Sequence, residues 1–416
     1  MTSKIVTYHN NERTILKVFN AASKIPFVGS KIGKNLEIDS IVSSAIKQVG
    51  FDDFGGDDFI EPLTVLVNSI NNEAKLTPAG LFMAGTYITS DLATRLRLVE
   101  ALKENPDIEA QPVIAPISIV GMPRTGTTFL FEMISSDPRF RVPASWEAER
   151  PFPHPEKETR FTDPRIAQSE RTFKIINYLA DGLTAMHEIG AMLPQECIIL
   201  QGPSLRSQSY STVYSVPSYM NWLANCDMSF SYSWHKKLVQ YLQYKHSAER
   251  WVFKSPTHPG HIEDFMKIYP EAKFVQTHRP LLEVLSSVSS LFCKMRGPYS
   301  HHVDPVGVGA EMMKDFGGAL NKLVELRASN SYVDSRFLDL QYSDIISNPD
   351  AAYEQFCKFS GIGLPDGYSS NGANFQRGRP QHRNGMHVYK PEWFGLSQEI
   401  IDSKFSTYNR KHIRGD

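Results

Sequence analysis

Cysteine is scarce: Cys197, Cys226, Cys293 and Cys357 lie far apart and form no C-x-x-C pair. That spacing excludes a zinc ribbon and a disulfide framework and reads as four reduced thiols. Nowhere do the roughly 18 consecutive apolar residues of a membrane span occur, and the N-terminus has no basic start followed by an unbroken apolar run. The expectation is a soluble, cytoplasmic protein with no membrane partner. Charge of one sign is also missing, because 44 Lys+Arg offset 45 Asp+Glu to leave a net −1. A protein without a global field is not built to bind nucleic acid nonspecifically, so any anion site must be local. Internal repeats and low-complexity tracts are absent too, which excludes a solenoid.

What is present is a chain of 416 residues, enough for one large α/β domain with an appended region. Residues 1–110 read as mainly helical, from apolar residues at three- and four-residue steps in 62–70 and 93–102. After Asn105-Pro106-Asp107, short apolar strands alternate with amphipathic helices, the pattern of a mostly parallel sheet flanked by helices. Strands are expected near 114–120, 250–254, 272–277 and 335–341, and helices near 126–136, 260–269, 280–292 and 349–360. Aromatic- and Ser-rich material at 140–245, with helices near 165–190 and 233–246, interrupts the alternation and reads as an inserted acceptor-binding lid. The organisation expected is a helical region, 1–110, packed on an α/β domain, 111–416.

The segment Gly121-Met-Pro-Arg-Thr-Gly-Thr-Thr128 follows the apolar run Ile117-Ser-Ile-Val120 and precedes a helical pattern. Its two glycines are spaced as in G-x-x-x-x-G-K-[ST], where backbone N–H groups at a helix N-terminus cradle an anion. Thr127 stands where a nucleotide triphosphatase has its Lys, and the cation is Arg124 instead. A kinase also needs a carboxylate for magnesium at a later strand end, and Asp339 is the available residue. Two further strand ends carry polar groups: Trp251-Val-Phe-Lys-Ser-Pro-Thr-His258 presents Lys254 and His258, and Lys273-Phe-Val-Gln-Thr-His-Arg-Pro280 presents Arg279. Ligands of open α/β sheets collect at such ends. Taken alone, Arg279 reads as a surface residue and Ser286, Ser287, Ser289 and Ser290 as a polar helix face.

Together these three motifs resemble the sulfotransferase superfamily, with a helical leader similar to that of a large microbial branch. The resemblance implies a P-loop-like fold, with 3′-phosphoadenosine 5′-phosphosulfate (PAPS) as donor, its bisphosphate PAP as product and no metal. Arg124, Thr125, Gly126, Thr127 and Thr128 match the loop that binds the 5′-phosphosulfate; Arg279 and Ser287 match the 3′-phosphate pair; Tyr342 matches a residue bordering adenine. A C-terminal Arg, Arg379 or Arg383, would close over the 3′-phosphate.

Catalysis would fall to Arg124 and Lys254, which face charge developing on the bridging oxygen, and to a base for the acceptor. Two residues compete for that role. His258 follows Lys254 in a register that departs from the family's, and Glu147 lies where another branch places a carboxylate. The function expected is sulfuryl transfer to a hydroxyl or amine of a small organic acceptor. The alternatives are an ATP-dependent kinase or NTPase, and a catalytically idle nucleotide-binding protein of the same fold.

Overall fold

A computed structural model describes residues 5–10, 12–25, 35–247, 249–365, 371–378 and 384–413. Its centre is a five-stranded, all-parallel sheet in the order β3-β4-β2-β5-β6, formed by β2 (Ile117–Ile119), β3 (Phe140–Arg141), β4 (Arg250–Lys254), β5 (Lys273–His278) and β6 (Phe337–Gln341). β2 is buried along its whole length, as a strand covered on both faces must be, and pairs in register with β4 and β5. β1 (Ile5–Val6) and β7 (Met386–His387) form a separate two-stranded parallel pair.

The expected strands and helices of the α/β alternation are found within a few residues. Two features were missed. β3 is only two residues long and is held by backbone pairing to β4, too short to register as a pattern. The 25-residue helix Pro305–Ser329 contains Gly307, Gly309, Gly317 and Gly318, which dilute its apolar period. Its start was nevertheless written in the chain: the Asp304 side chain accepts from Val306 N, and Pro305 opens the helix.

We label six helices that position the site: α1 (Ile38–Val49), α2 (Ile60–Glu73), α3 (Pro78–Glu104), α4 (Thr127–Ser135), α5 (Pro164–Leu179) and α6 (Leu281–Arg296). α3 starts at a Thr77 cap that accepts from Gly80 N and runs 27 residues, absorbing the shorter apolar stretch at 93–102. Leu63 and Leu66 of α2 and Leu92 and Leu96 of α3 belong to one buried cluster with Trp251, Phe253 and Phe274 of the sheet. The helical leader and one sheet face thus share a core. α4 covers the other face, where Leu130, Met133 and Ile134 meet Ile117, Ile119 and Val275.

The aromatic residues of 210–234 are mostly core. Tyr210, Tyr214, Tyr219, Tyr232 and Trp234 are buried in the main cluster, and Phe230 is exposed. Among the described residues, no helix is long and apolar enough to cross a membrane.

Candidate active site

The loop after β2 turns through two residues of positive φ, Arg124 at 72° and Gly126 at 88°. Gly126 suits its position twice over, since a Cβ there would also lie 3.0 Å from Tyr342 Cδ2. Arg124 pays for its conformation with contacts: Nε donates to Ser287 Oγ at 3.2 Å and Nη1 to the Met186 carbonyl at 2.7 Å. Among the described residues Nη2 has no hydrogen-bond partner, and Arg124 lines a cavity of about 880 Å³.

Three expected groups therefore meet at the carboxyl ends of β2, β4 and β5. Arg279 Nη1 donates to the Arg124 carbonyl at 3.0 Å, and its guanidinium lies 4.2 Å from the Tyr342 ring centroid. Outside the cavity it pairs with Glu283 at 2.7 Å. Burial, and to a smaller degree the field of Arg279, lower the pKa of Arg124. Two cations lining one cavity favour an anionic ligand there. Lys254, which is buried, donates to Thr128 Oγ1 at 3.2 Å. Thr125 is also buried, its hydroxyl turned back onto the Met122 carbonyl and Thr277, so it shapes the loop from beneath. The serines of α6 form no polar surface: Ser286, Ser287, Ser289 and Ser290 are all buried.

The two base candidates are not brought to this cavity. His258 is fully buried, with Nδ1 hydrogen-bonded to the Tyr232 hydroxyl at 2.9 Å and its ring 4.9 Å from that of Phe265. Burial drives its pKa well down, so it is a neutral core histidine. Glu147 is equally buried. Its carboxylate accepts from Arg141 at 3.1 Å, from Ala144 N at 2.9 Å, and faces Arg160 Nε at 3.4 Å. Burial opposes its ionisation, but Arg141 and Arg160 outweigh it and hold the pKa low. Residue type and spacing suggested both; side-chain direction, which neither reveals, removes them. Arg379 and Arg383 lie outside the described residues.

Two groups that the motifs did not flag take their place. Glu196 lines the cavity and pairs with Lys254 at 2.8 Å. Burial raises its pKa, and Lys254 and His187 more than reverse that, leaving it below the ordinary value. His187 stands beside it in the fields of Glu196, Lys254 and Arg124, and burial pushes it down to about 4. The only signal was weak: an acid in Leu193-Pro-Gln-Glu196 within the insertion. Asp339, the carboxylate a magnesium-dependent kinase would use, is engaged by Arg327 through two 2.7 Å contacts and by His278 Nε2 at 2.7 Å.

A parallel sheet whose strand ends carry a phosphate-type loop without its lysine, and cations in its stead, is a scaffold suited to holding an anionic group. The chain belongs to the sulfotransferase family, whose model matches residues 116–366. Sulfotransferase STF1 from Mycobacterium tuberculosis H37Rv superposes with a TM-score of 0.78 at 30% identity, covering 90% of this chain and 99% of that one. STF9 from Mycobacterium avium gives 0.81 at 25% identity, over 90% and 96%. The omega-hydroxy-beta-dihydromenaquinone-9 sulfotransferase Stf3 of Mycobacterium bovis is 26% identical over 272 residues, 61% of this chain and 65% of that protein's length.

Proposed function

We propose that this protein transfers the sulfuryl group of PAPS to a hydroxyl or amine of a small organic acceptor. The observation that carries the reading is that Arg124 and Arg279 line one cavity at the N-terminus of α4, with Lys254 bound to two further lining residues, Thr128 and Glu196. When bound, PAPS supplies a sulfuryl group attached through oxygen to a 5′-phosphate. Arg124 Nη2, Lys254 and the N–H groups of residues 126–128 would hold the phosphosulfate and stabilise charge on the bridging oxygen. Arg279 and Ser287 would hold the 3′-phosphate, and Tyr342, already under the Arg279 guanidinium, would border the adenine.

Glu196 is the base we assign. It is ionised at neutral pH, it lines the cavity, and its partner Lys254 is the cation nearest the loop hydroxyl Thr128. A carboxylate placed so can accept the proton an acceptor hydroxyl must lose. Lys254 leaving Glu196 for the bridging oxygen would free that carboxylate when the donor is in place. His187, neutral in this environment, is suited to orienting the acceptor by a hydrogen bond.

An elongated apolar acceptor fits the walls. Met83, Phe173, Ile176, Leu183, Ile198 and Phe292 line the cavity, and Stf3 is named for omega-hydroxy-beta-dihydromenaquinone-9. A thermal-shift comparison tests the donor. PAP at about a hundred times its dissociation constant stabilises the fold by ~2.7 kcal/mol, and ATP with magnesium does far less. The reverse order would restore the kinase reading, and PAP binding without turnover on a broad acceptor panel would point to an idle form.

A further inference from the structure

The cavity has a second polar focus away from the donor loop. Asp91 lies on α3 one turn beyond Tyr87, so the two side chains share a face of the helix, and both line the cavity. The Tyr210 hydroxyl donates to Asp91 Oδ2 at 2.5 Å. Opposite, the backbone comes close enough that a Cβ on Gly202 would lie 2.4 Å from Asp91 Oδ1, so only glycine leaves the carboxylate its place.

This carboxylate is oddly provided for. It is deeply enclosed yet keeps surface accessible from the cavity, and among the described residues no Lys or Arg forms an ion pair with it. Burial raises its pKa to about 7, opposed only by the Tyr210 hydrogen bond. Asp91 sits on α3 and its hydrogen-bond partner Tyr210 in the insertion, so this focus is built from elements other than the loop and strand ends that carry Arg124, Lys254 and Arg279. Structural carboxylates in apolar surroundings are paired with a cation or fully hydrogen-bonded, because burial otherwise penalises them. An enclosed carboxylate facing a cavity with one tyrosine for a partner is a group waiting for a donor.

We infer that Asp91 reads the acceptor, binding an N–H or O–H group carried on its apolar body away from the atom that receives sulfate. The inference rests on the proposed sulfotransfer and adds to it the class of acceptor: an apolar molecule with a second, hydrogen-bond-donating polar group. Tyr210 is the positioning residue, fixing the carboxylate so that its remaining lone pairs meet the ligand. A site built this way discriminates strongly, since an acceptor lacking the donor leaves the carboxylate unpaired.

The test is calorimetric binding at pH 8.5, where a carboxyl titrating at about 7 is ionised, to the protein–PAP complex of three matched probes: 1-decanol, 1,10-decanediol and 10-amino-1-decanol. The wild type is expected to bind the diol or the amino alcohol about 10- to 100-fold more tightly than decanol, the range for a hydrogen bond to a charged group. Which of the two binds tighter tells hydroxyl from ammonium. Asp91→Asn should reduce the preference to within about threefold and leave decanol and PAP binding unchanged, with Tyr210→Phe intermediate. Equal affinities in the wild type, no binding of any probe, or a preference that survives Asp91→Asn would overturn the inference. Failure of PAP itself to bind would instead overturn the donor reading.

Discussion

Replacing Arg124 separates two things the residue does, because its backbone is strained and its side chain is functional. At φ 72°, alanine keeps the left-handed penalty of an L-residue and glycine does not, which places Arg124→Gly about 1 kcal/mol above Arg124→Ala in unfolding free energy. Both variants lose the hydrogen bonds to Ser287 and Met186 and the nitrogen that faces the cavity. A charge-assisted contact to phosphate is worth about 1.5–3 kcal/mol, so the PAP dissociation constant should rise at least ~10-fold. At a ligand concentration that stabilises the wild type by ~2.7 kcal/mol, a 10-fold loss leaves ~1.4 and a 100-fold loss ~0.4 kcal/mol. Turnover should fall further, by about 10²–10³, since the contact strengthens as charge develops. Urea unfolding with and without PAP measures the first two quantities, and PAP release in a coupled assay the third. If both variants keep the full PAP increment and turn over within about threefold of the wild type, Arg124 is not a donor ligand and the site has been misassembled.

Arg279→Ala should weaken PAP selectively, bringing its affinity toward that of AMP, which lacks the 3′-phosphate; a loss shared equally by both nucleotides would refute the 3′ assignment. Glu196→Gln is expected to lower kcat by about 10²–10⁴ with PAP binding within a few-fold of wild type, and a variant with unchanged kcat would remove Glu196 as base. Glu147→Gln leaves Arg141 and Arg160 without their buried carboxylate, and should cost about 3–5 kcal/mol in denaturant unfolding with little change in donor KM; a specific loss of kcat in a stable variant would return Glu147 to the active site. Acid should destabilise the protein early. His235 is pushed to about 3 and His187 and His246 to about 4 by burial, so the unfolded chain takes up more protons below its ordinary histidine pKa. Asp91 and Glu149, raised to about 7, oppose this over the same window, but with His387 pushed to about 3 and His412 to about 4 the depressed histidines outnumber them, so stability falls on balance from about pH 6.5 toward pH 4, with Asp264, held at about 2, adding a further loss from about pH 4 downward. Urea midpoints that stay level between pH 7.5 and 5 would contradict this.

The geometry around the proposed donor site was legible because it depends on local order. A strand, a two-glycine turn and a helix start are consecutive in sequence, so 121–128 could be read directly, and Lys254 and Arg279 were placed by the rule that ligands gather at strand ends. Their contacts with the loop, Lys254 to Thr128 and Arg279 to Arg124, follow from β4 and β5 flanking β2. The acceptor side was opaque for the opposite reason. Glu196, His187 and Asp91 come from the insertion and from α3, brought together only by long-range packing. His258 and Glu147 show the converse failure, where a suitable residue at suitable spacing points into the core. The buried serines of α6 show it again, since hydroxyls bonded back to Leu282 and Leu285 need no solvent.

The position of α3 relative to the matched family segment has a consequence for reading related genomes. Residues 116–366 hold Arg124, Lys254, Arg279, Ser287 and Tyr342 of the proposed donor site, whereas α3, at 78–104, contributes Phe82, Met83, Tyr87, Asp91 and Thr94 to the cavity wall. Two proteins could agree throughout the shared segment and still differ along this wall, where part of the proposed acceptor would lie. A catalogue sorted by that segment alone would leave part of the proposed acceptor wall unread, and one face of a single upstream helix would supply it.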